Sequence, residues 1–339
     1  MSSEGVLVVT TAHWEGDPRL NRHVAYLTNR ATPADLVSFH TNRRPAALAR
    51  ALVCIARTKA AVVILPDPEL YLPGSLVARL TGKRAVIDIH EDYTKTAQAR
   101  QWIPRPLRSL VAFLAGGLIA MGRATAWRVM VAAPELARDH DYVALNIPDP
   151  GALSPASYDG SNRLVYVGDL TVARGALAMV DVLAALDDTY ELLLIGRAGP
   201  ETLRLIRERS AERNVLDRVV ITGRLPHTEA WERASGSLVG LNLLEPVPAY
   251  REAVATKLWE YMAVGLPPLV SDLPGQARLL SRVDPDLVCA GPEDAAAVIG
   301  ELGRDHERRR ALGDRARATF EDAWAANRPD RVVQEVVLP

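Results

Sequence analysis

The sequence predicts an α/β protein built from two Rossmann-like, doubly wound parallel-sheet domains facing a central cleft. Three observations predict it. The chain has 339 residues, about twice the usual size of one core. Short runs rich in Val, Ile and Leu alternate with stretches of helical period, which marks parallel strands covered on both faces. The alternation stops once, over the Pro-, Gly-, Ser- and Asp-rich stretch from Pro148 to Asn162, and then restarts. The expected layout is a first domain over 1–150, a linker over 151–162, a second domain over 163–320, and a helix or tail over 321–339 that packs back on the first domain.

In the first half, continuous apolar runs give strands at Val6–Thr11, Leu36–His40, Ala61–Leu65, Ala85–Ile89, Val129–Ala132 and Val143–Leu145. Between them, apolar residues at helical spacing give helices at Leu20–Asn29, Ala46–Arg57, Ser75–Thr81 and Leu107–Ala126. In the second half the strands are Arg163–Gly168, Glu191–Ile195, Val219–Thr222, Leu238–Leu243, Pro268–Ser271 and Leu287–Cys289. The helices are Ala176–Leu186, Pro200–Arg213, His227–Ala234 and Thr256–Val264, followed by Asp294–Gly300 and Glu307–Ala325. Ligands of such sheets bind beyond the carboxyl ends of the strands, so the loops there carry the search for function.

Composition narrows the function. The 40 basic and 41 acidic residues leave a net charge of −1, which provides no global field for nucleic acid. Only four of the basic residues are lysines, and Arg can replace Lys wherever charge alone matters, so each lysine merits inspection. Cys54 and Cys289 lie far apart in apolar stretches and fit buried thiols in a reducing compartment. No spacing suits a metal, and no metal or cofactor is expected. The amino end reads as a strand without a basic leader region, so no signal peptide is expected. The longest apolar run, Leu110–Met121, is too short to span a bilayer. The expected location is cytoplasmic, with peripheral contact at the inner face of the membrane as a further reading.

The most informative stretch runs from Glu252 to Asp272. Thr256 can cap a helix that Gly265 and Pro267 end. The backbone N–H groups near Val254, Ala255 and Thr256 then form a helix amino end of the kind that binds phosphate. Lys257 lies in that first turn, where a cation opposes the helix dipole by about 0.3–1 kcal/mol, so an anion is expected to meet it. Glu260, one turn on, can accept paired hydroxyls.

The pair Glu252–x7–Glu260, the Lys-Leu-Trp-Glu-Tyr-Met-Ala core and Gly265-Leu-Pro-Pro-Leu-Val-Ser-Asp resemble the donor site of retaining glycosyltransferases of the GT-B fold, family 4 in particular (glycosyl transferases group 1). Val167-Gly168-Asp-Leu with Arg174-Gly175, Leu194-Ile-Gly196-Arg197 and Ile221-Thr-Gly223-Arg224-Leu225 resemble the family's strand ends in the second domain. Asp67-Pro-Glu-Leu, Val86-Ile-Asp-Ile-His90-Glu-Asp and Asn146-Ile-Pro resemble a bacterial subgroup in the first. The resemblance implies transfer of a sugar from a nucleotide-sugar, UDP-linked, to a small-molecule, glycan or lipid-linked hydroxyl acceptor. It implies that Glu260 holds the ribose, and that Arg174 and Lys257 neutralise the diphosphate. Glu252 and the 253–256 backbone contact sugar and phosphate. Arg224 and Leu225, with Gly196 and Arg197, seat the base near Gly168. His90 reaches the donor sugar. The chain departs from the family at Asp169, where a basic residue is usual, at Arg174, usually Lys, and at Ala253-Val254-Ala255, often Gly-rich. A second diphosphate cation must then come from elsewhere, with Arg197 and Arg19 as candidates.

Other readings stay open. His13, Gly16, Asp17 and Arg19 follow the first strand and are expected on the acceptor side. His13 there could serve as the base of an inverting transferase, or only line the loop; Asp17 and Arg19 could instead shape the first helix. A sugar-nucleotide epimerase or hydrolase of the same fold, and a non-catalytic nucleotide-sugar-binding partner, are the alternatives from other classes. The stretch 104–128 reads either as a buried crossover helix or as a surface helix docking on membrane. The histidines at 23, 40, 140, 227 and 306 look incidental.

Overall fold

The computed structural model describes residues 5–41, 43–99, 103–155 and 157–338. The chain forms two compact units, Met1–Asn146 with Asn327–Pro339, and Ile147–Ala326.

The first unit contains β1 (Val6–Thr10), α1 (Pro18–Thr28), β2 (Ala34–Ser38), α2 (Arg44–Arg57), β3 (Val62–Leu65), α3 (Pro68–Leu80), β4 (Arg84–Ile89), α4 (Tyr93–Ala99), α5 (Arg108–Thr125), β5 (Arg128–Val131) and β6 (Tyr142–Val143). Its six strands pair in parallel in the order β2-β1-β3-β4-β5-β6. The core joins Val9, Val63, Leu65 and Ile87 of the sheet to Ile55, Leu70 and Tyr71 of the helices. The strand order reverses between β1 and β3, so the loops after those strands part there and leave a crevice for polar groups.

Three helices of this unit differ from expectation, α4 among them because seven residues carry too little period to predict it. α3 begins at Pro68, not Ser75, because Pro73 sits early in the helix and removes one backbone bond without ending it. α5 is not a buried crossover: only its small residues Ala112 and Gly122 are fully buried.

The second unit contains β7 (Arg163–Val167), α6 (Ala176–Ala184), β8 (Glu191–Ile195), α7 (Pro200–Glu212), β9 (Val219–Gly223), α8 (His227–Ala234), β10 (Val239–Asn242), α9 (Thr256–Ala263), β11 (Pro268–Ser271), α10 (Pro274–Leu280), β12 (Val288–Cys289), α11 (Pro292–Arg304) and α12 (His306–Asn327). All strands are parallel, ordered β12-β11-β10-β7-β8-β9, and the order reverses between β7 and β10. The segment read as a linker packs on this unit: Asp159 N–H donates to the Gly236 carbonyl, and Tyr158 lies under the Arg309 guanidinium.

At Asn327 the chain returns to the first unit. Asn327 exchanges hydrogen bonds with Val143 and Leu145, and α13 (Pro329–Val337) packs on α1. Arg128 donates to the carbonyls of Glu335 and Leu338 at the end of that helix.

Candidate active site

In the second unit the reversal between β7 and β10 places the loop after β7 beside α9. Tyr261 fixes α9 on the sheet. Its ring covers Gly240 of β10, where a Cβ would collide with it, and its hydroxyl accepts from Val167 N at 3.0 Å. Gly196 after β8 presses on the same loop; a Cβ there would overlap the Gly168 carbonyl oxygen. Gly175 (φ +82°) lies against the Leu243 carbonyl after β10 with equally little room. Both positions admit only glycine at this approach.

Onto this frame α9 directs Lys257. The lysine stem is partly accessible, but Nζ is enclosed and has no hydrogen-bond acceptor. It lies 3.5 Å from the centre of the Tyr166 ring, a cation–π contact, beneath Gly168. Burial, and next the charge of Arg174, hold its pKa well below the usual lysine range, while Glu260 and Asp169 act the other way. Burial would lower the Arg174 pKa as well, but Tyr166 and Tyr250 beside it raise it. Two cations thus face one enclosed space. No side chain caps α9; its amino-end cap is Ala255, with Thr256 as the first helical residue rather than the cap. An enclosed ammonium without an acceptor, beside Arg174 and at a helix end that no side chain caps, forms an anion site.

The other expected donor residues lie on the same unit. Asp169 pairs at 3.1 Å with the exposed Arg197, one of the two candidates for a second diphosphate cation. Glu252 pairs with Arg278 of α10 at 2.7 Å, and Gly275 N–H donates to the Arg251 carbonyl beside it. Val254 precedes the α9 cap, and Arg224 and Leu225 follow β9 on the way to α8. Glu260, mostly buried, accepts from His227 Nε2 at 2.9 Å. Trp231 Nε1 also lies 3.2 Å from that nitrogen, but Nε2 cannot both donate and accept; the charge-assisted bond to Glu260 is the stronger. His227, read from sequence as incidental, therefore belongs to the site. Its partner is 33 residues away, and only its place at the start of a helix after a strand could have signalled it.

The first unit carries its polar cluster at its own reversal, between β1 and β3. Asp67 turns its carboxylate away from α3 to accept from Thr10 Oγ1 (2.8 Å), Thr11 N (2.6 Å) and Ala12 N (3.1 Å). This shapes the loop that carries His13. Asp17 caps α1 through the N–H groups of Arg19 and Leu20 and takes His13 Nδ1 at 3.0 Å. His13 Nε2 faces Asp67 Oδ1 at 3.3 Å. Burial opposes a charge on His13, but Asp17 and Asp67 outweigh it and raise its pKa; burial acts likewise on Asp17, whose bonds to His13 and Leu20 bring its pKa down to about 2. Gly16 lies against the Trp14 indole.

Arg19 is not at the surface of this site. It is buried, forks onto Asp88 (2.7 and 3.1 Å) and donates to the Ala144 carbonyl, so its role is to tie α1 to β4 and β6. The same Asp88 receives His90 Nε2 at 2.8 Å and approaches His23 at 3.5 Å. Burial would raise its pKa, but Arg19 and then His90 hold it well below the usual carboxylate range. The His13 and His90 rings meet edge to face at 5.1 Å, so the cluster brings the two expected histidines together.

The family model of glycosyl transferases group 1 matches residues 154–319, nearly all of the second unit. The second unit is a glycosyl transferases group 1 domain. By that domain the chain is a glycosyltransferase. Comparison with curated protein sequences gives no match. Among solved structures, the Anabaena protein HepE in complex with UDP-glucose is 11% identical, with 97% of this chain and 98% of that one covered and a TM-score of 0.74. Sucrose-phosphate synthase from Thermosynechococcus elongatus is 16% identical, with 98% and 97% covered and a TM-score of 0.73. A glycosyltransferase from Rickettsia africae is 12% identical, with 99% of each chain covered and a TM-score of 0.69. These likenesses show that the chain has the GT-B fold. Among the described residues, no helix is long and apolar enough to cross a membrane.

Proposed function

We propose that this glycosyltransferase moves a sugar from a uridine diphosphate donor to a hydroxyl acceptor with retention of configuration and without a metal ion. The observation that carries the reading is the enclosed Lys257 Nζ without an acceptor, facing Arg174 at the uncapped end of α9. A diphosphate supplies the missing anion. The UDP-glucose complex of the Anabaena protein supports uridine as the base.

In this reading the anomeric C–O bond breaks toward the diphosphate, whose growing charge meets Lys257, Arg174 and the helix end. These fixed cations stand where another design would use a metal. The acceptor oxygen bonds to the anomeric carbon on the same face, and its proton passes to the departing phosphate oxygen. Glu260 accepts the ribose hydroxyls, displacing His227. Glu252 contacts the sugar, and the backbone at Arg224 and Leu225 seats the base. His13 supports retention: both its nitrogens face carboxylates, which suits an imidazolium rather than a base with a lone pair turned to the acceptor.

The test is a thermal-shift screen against UDP, GDP, ADP and dTDP with their sugar conjugates, with EDTA and with Mg²⁺. A shift with UDP that survives EDTA, followed by transfer with the anomeric configuration kept in product NMR, is the expected result. Binding without turnover on any acceptor would favour a non-catalytic partner. An inverted product that His13→Ala abolishes would favour the base reading.

A further inference from the structure

The longest helix of the first unit, α5, is attached sideways. It packs on α3 and α4, and a Cβ at its Gly122 would press on Tyr71 of α3. Its other face is apolar and open. Leu107, Leu110, Leu114, Leu118 and Met121 recur every three or four residues, one stripe of a helix, and Phe113, 76% exposed, flanks them. Thirteen large apolar side chains are exposed among the described residues; six lie on this helix and its entry, and two more, Leu76 and the 84% exposed Leu80, on α3. A soluble surface scatters such residues singly; a contiguous stripe marks a contact.

The charge around the stripe says what kind of contact. From Tyr93 to Pro134 the sequence has six basic residues and no acidic one. Arg123 and Arg128 are used inside the unit, on Asp141 and on the end of α13. Lys95 pairs with Asp92 at 3.2 Å, and Arg105 and Arg108 lie in the sequence at the entry to α5. Exposed Arg79 stands next to Leu80 on α3. A second copy of this face would meet the exposed Arg79 and the half-buried Arg108 chiefly with cations of its own, whereas anionic head groups would meet them with the opposite charge. An 18-residue helix held along one side cannot insert end-on, but it can lie in the interface with its free face among the acyl chains.

We propose that the α5 face docks the protein on an anionic lipid bilayer. The inference stands apart from the donor site and does not require it. Docking needs no further segment, because the apolar stripe and the basic residues before it supply the two signals that stable peripheral binding takes.

The experiment is co-sedimentation of the full chain with vesicles of phosphatidylcholine plus phosphatidylglycerol, against pure phosphatidylcholine. The chain is expected to partition to the mixed vesicles on the order of tenfold better, and to lose that binding in high salt. Phe113→Glu combined with Leu114→Glu should reduce binding by at least about tenfold, since two acyl-facing groups become anions. Both positions are exposed, and an unchanged circular-dichroism melt would show that the variant is folded. No binding to mixed vesicles, or binding that the double variant keeps, would overturn the proposal. So would a wild-type dimer in solution that the same variant dissolves, because a second copy would then cover the face. The UDP-induced shift of the double variant reports on the donor reading separately.

Discussion

Lys257→Met tests the anion site most directly, because it removes the charge and keeps the length of the stem. In the unliganded protein the enclosed ammonium has no acceptor. Taking an ion out of water costs several kcal/mol, and the Tyr166 ring returns about 2 kcal/mol. The balance is a native state held about 1–3 kcal/mol below the stability its packing would allow. The variant should therefore be more stable without ligand, with a melting temperature about 2–12 °C higher for a unit of this size. The pH dependence has a definite sign. The folded-state pKa of Lys257 lies well below its ordinary value, so the penalty is complete where the folded lysine is protonated and fades as pH rises through that lowered pKa. The gap between variant and wild type should narrow in the same direction. Toward UDP the order reverses. Losing one partner of an enclosed ion pair costs about 3–5 kcal/mol, or roughly two to three and a half powers of ten in Kd. Differential scanning fluorimetry with and without UDP, backed by calorimetric titration, measures both effects. A variant that melts below the wild type and still shifts with UDP would refute the argument and make Lys257 a packing residue.

Glu260→Ala should raise the Kd for UDP about ten- to hundredfold, the loss of a charged hydrogen-bond partner, with no change in urea midpoint; an unchanged Kd in calorimetry would remove the ribose assignment. Arg19→Met leaves Asp88 buried without its fork and should destabilise the first unit by about 3–5 kcal/mol in urea, with the UDP affinity untouched; a normal midpoint would return Arg19 to the list of ligand-binding candidates. His23 is buried, and burial together with the Arg19 charge brings its pKa down to about 3. The unfolded chain therefore takes up a proton below pH 6.5 that the folded chain refuses, and stability should fall by about 1.4 kcal/mol per pH unit on acidification from there toward 3. Urea midpoints between pH 4.5 and 6.5 should flatten in His23→Leu, and an equal slope in the variant would contradict this account.

The sequence by itself determined the alternation of strand and helix, because each strand is a continuous apolar run and each register serves a sheet covered on both faces. All twelve strands lie where such runs predict them, within a residue or two at their ends. The proposed donor-site stretch from Glu252 to Glu260 could be related along the chain because its residues lie within nine consecutive positions, and helical spacing sets Lys257 against Glu260. Short elements were less so. α10 passed unnoticed because seven residues carry too little period, and α3 was begun late because Pro73 looked like a stop. Only the tertiary structure decided which charges meet. His227 on Glu260, Arg278 on Glu252, Tyr166 under Lys257 and Arg19 on Asp88 join residues that are from 26 to 91 positions apart. It also decided that the apolar helix α5 keeps one face open, since burial depends on what packs beside a helix and not on the helix's own sequence. Local propensity and period act over a few residues and can be read along the chain; desolvation and charge pairing act through space, and only the folded sheets fix their distances.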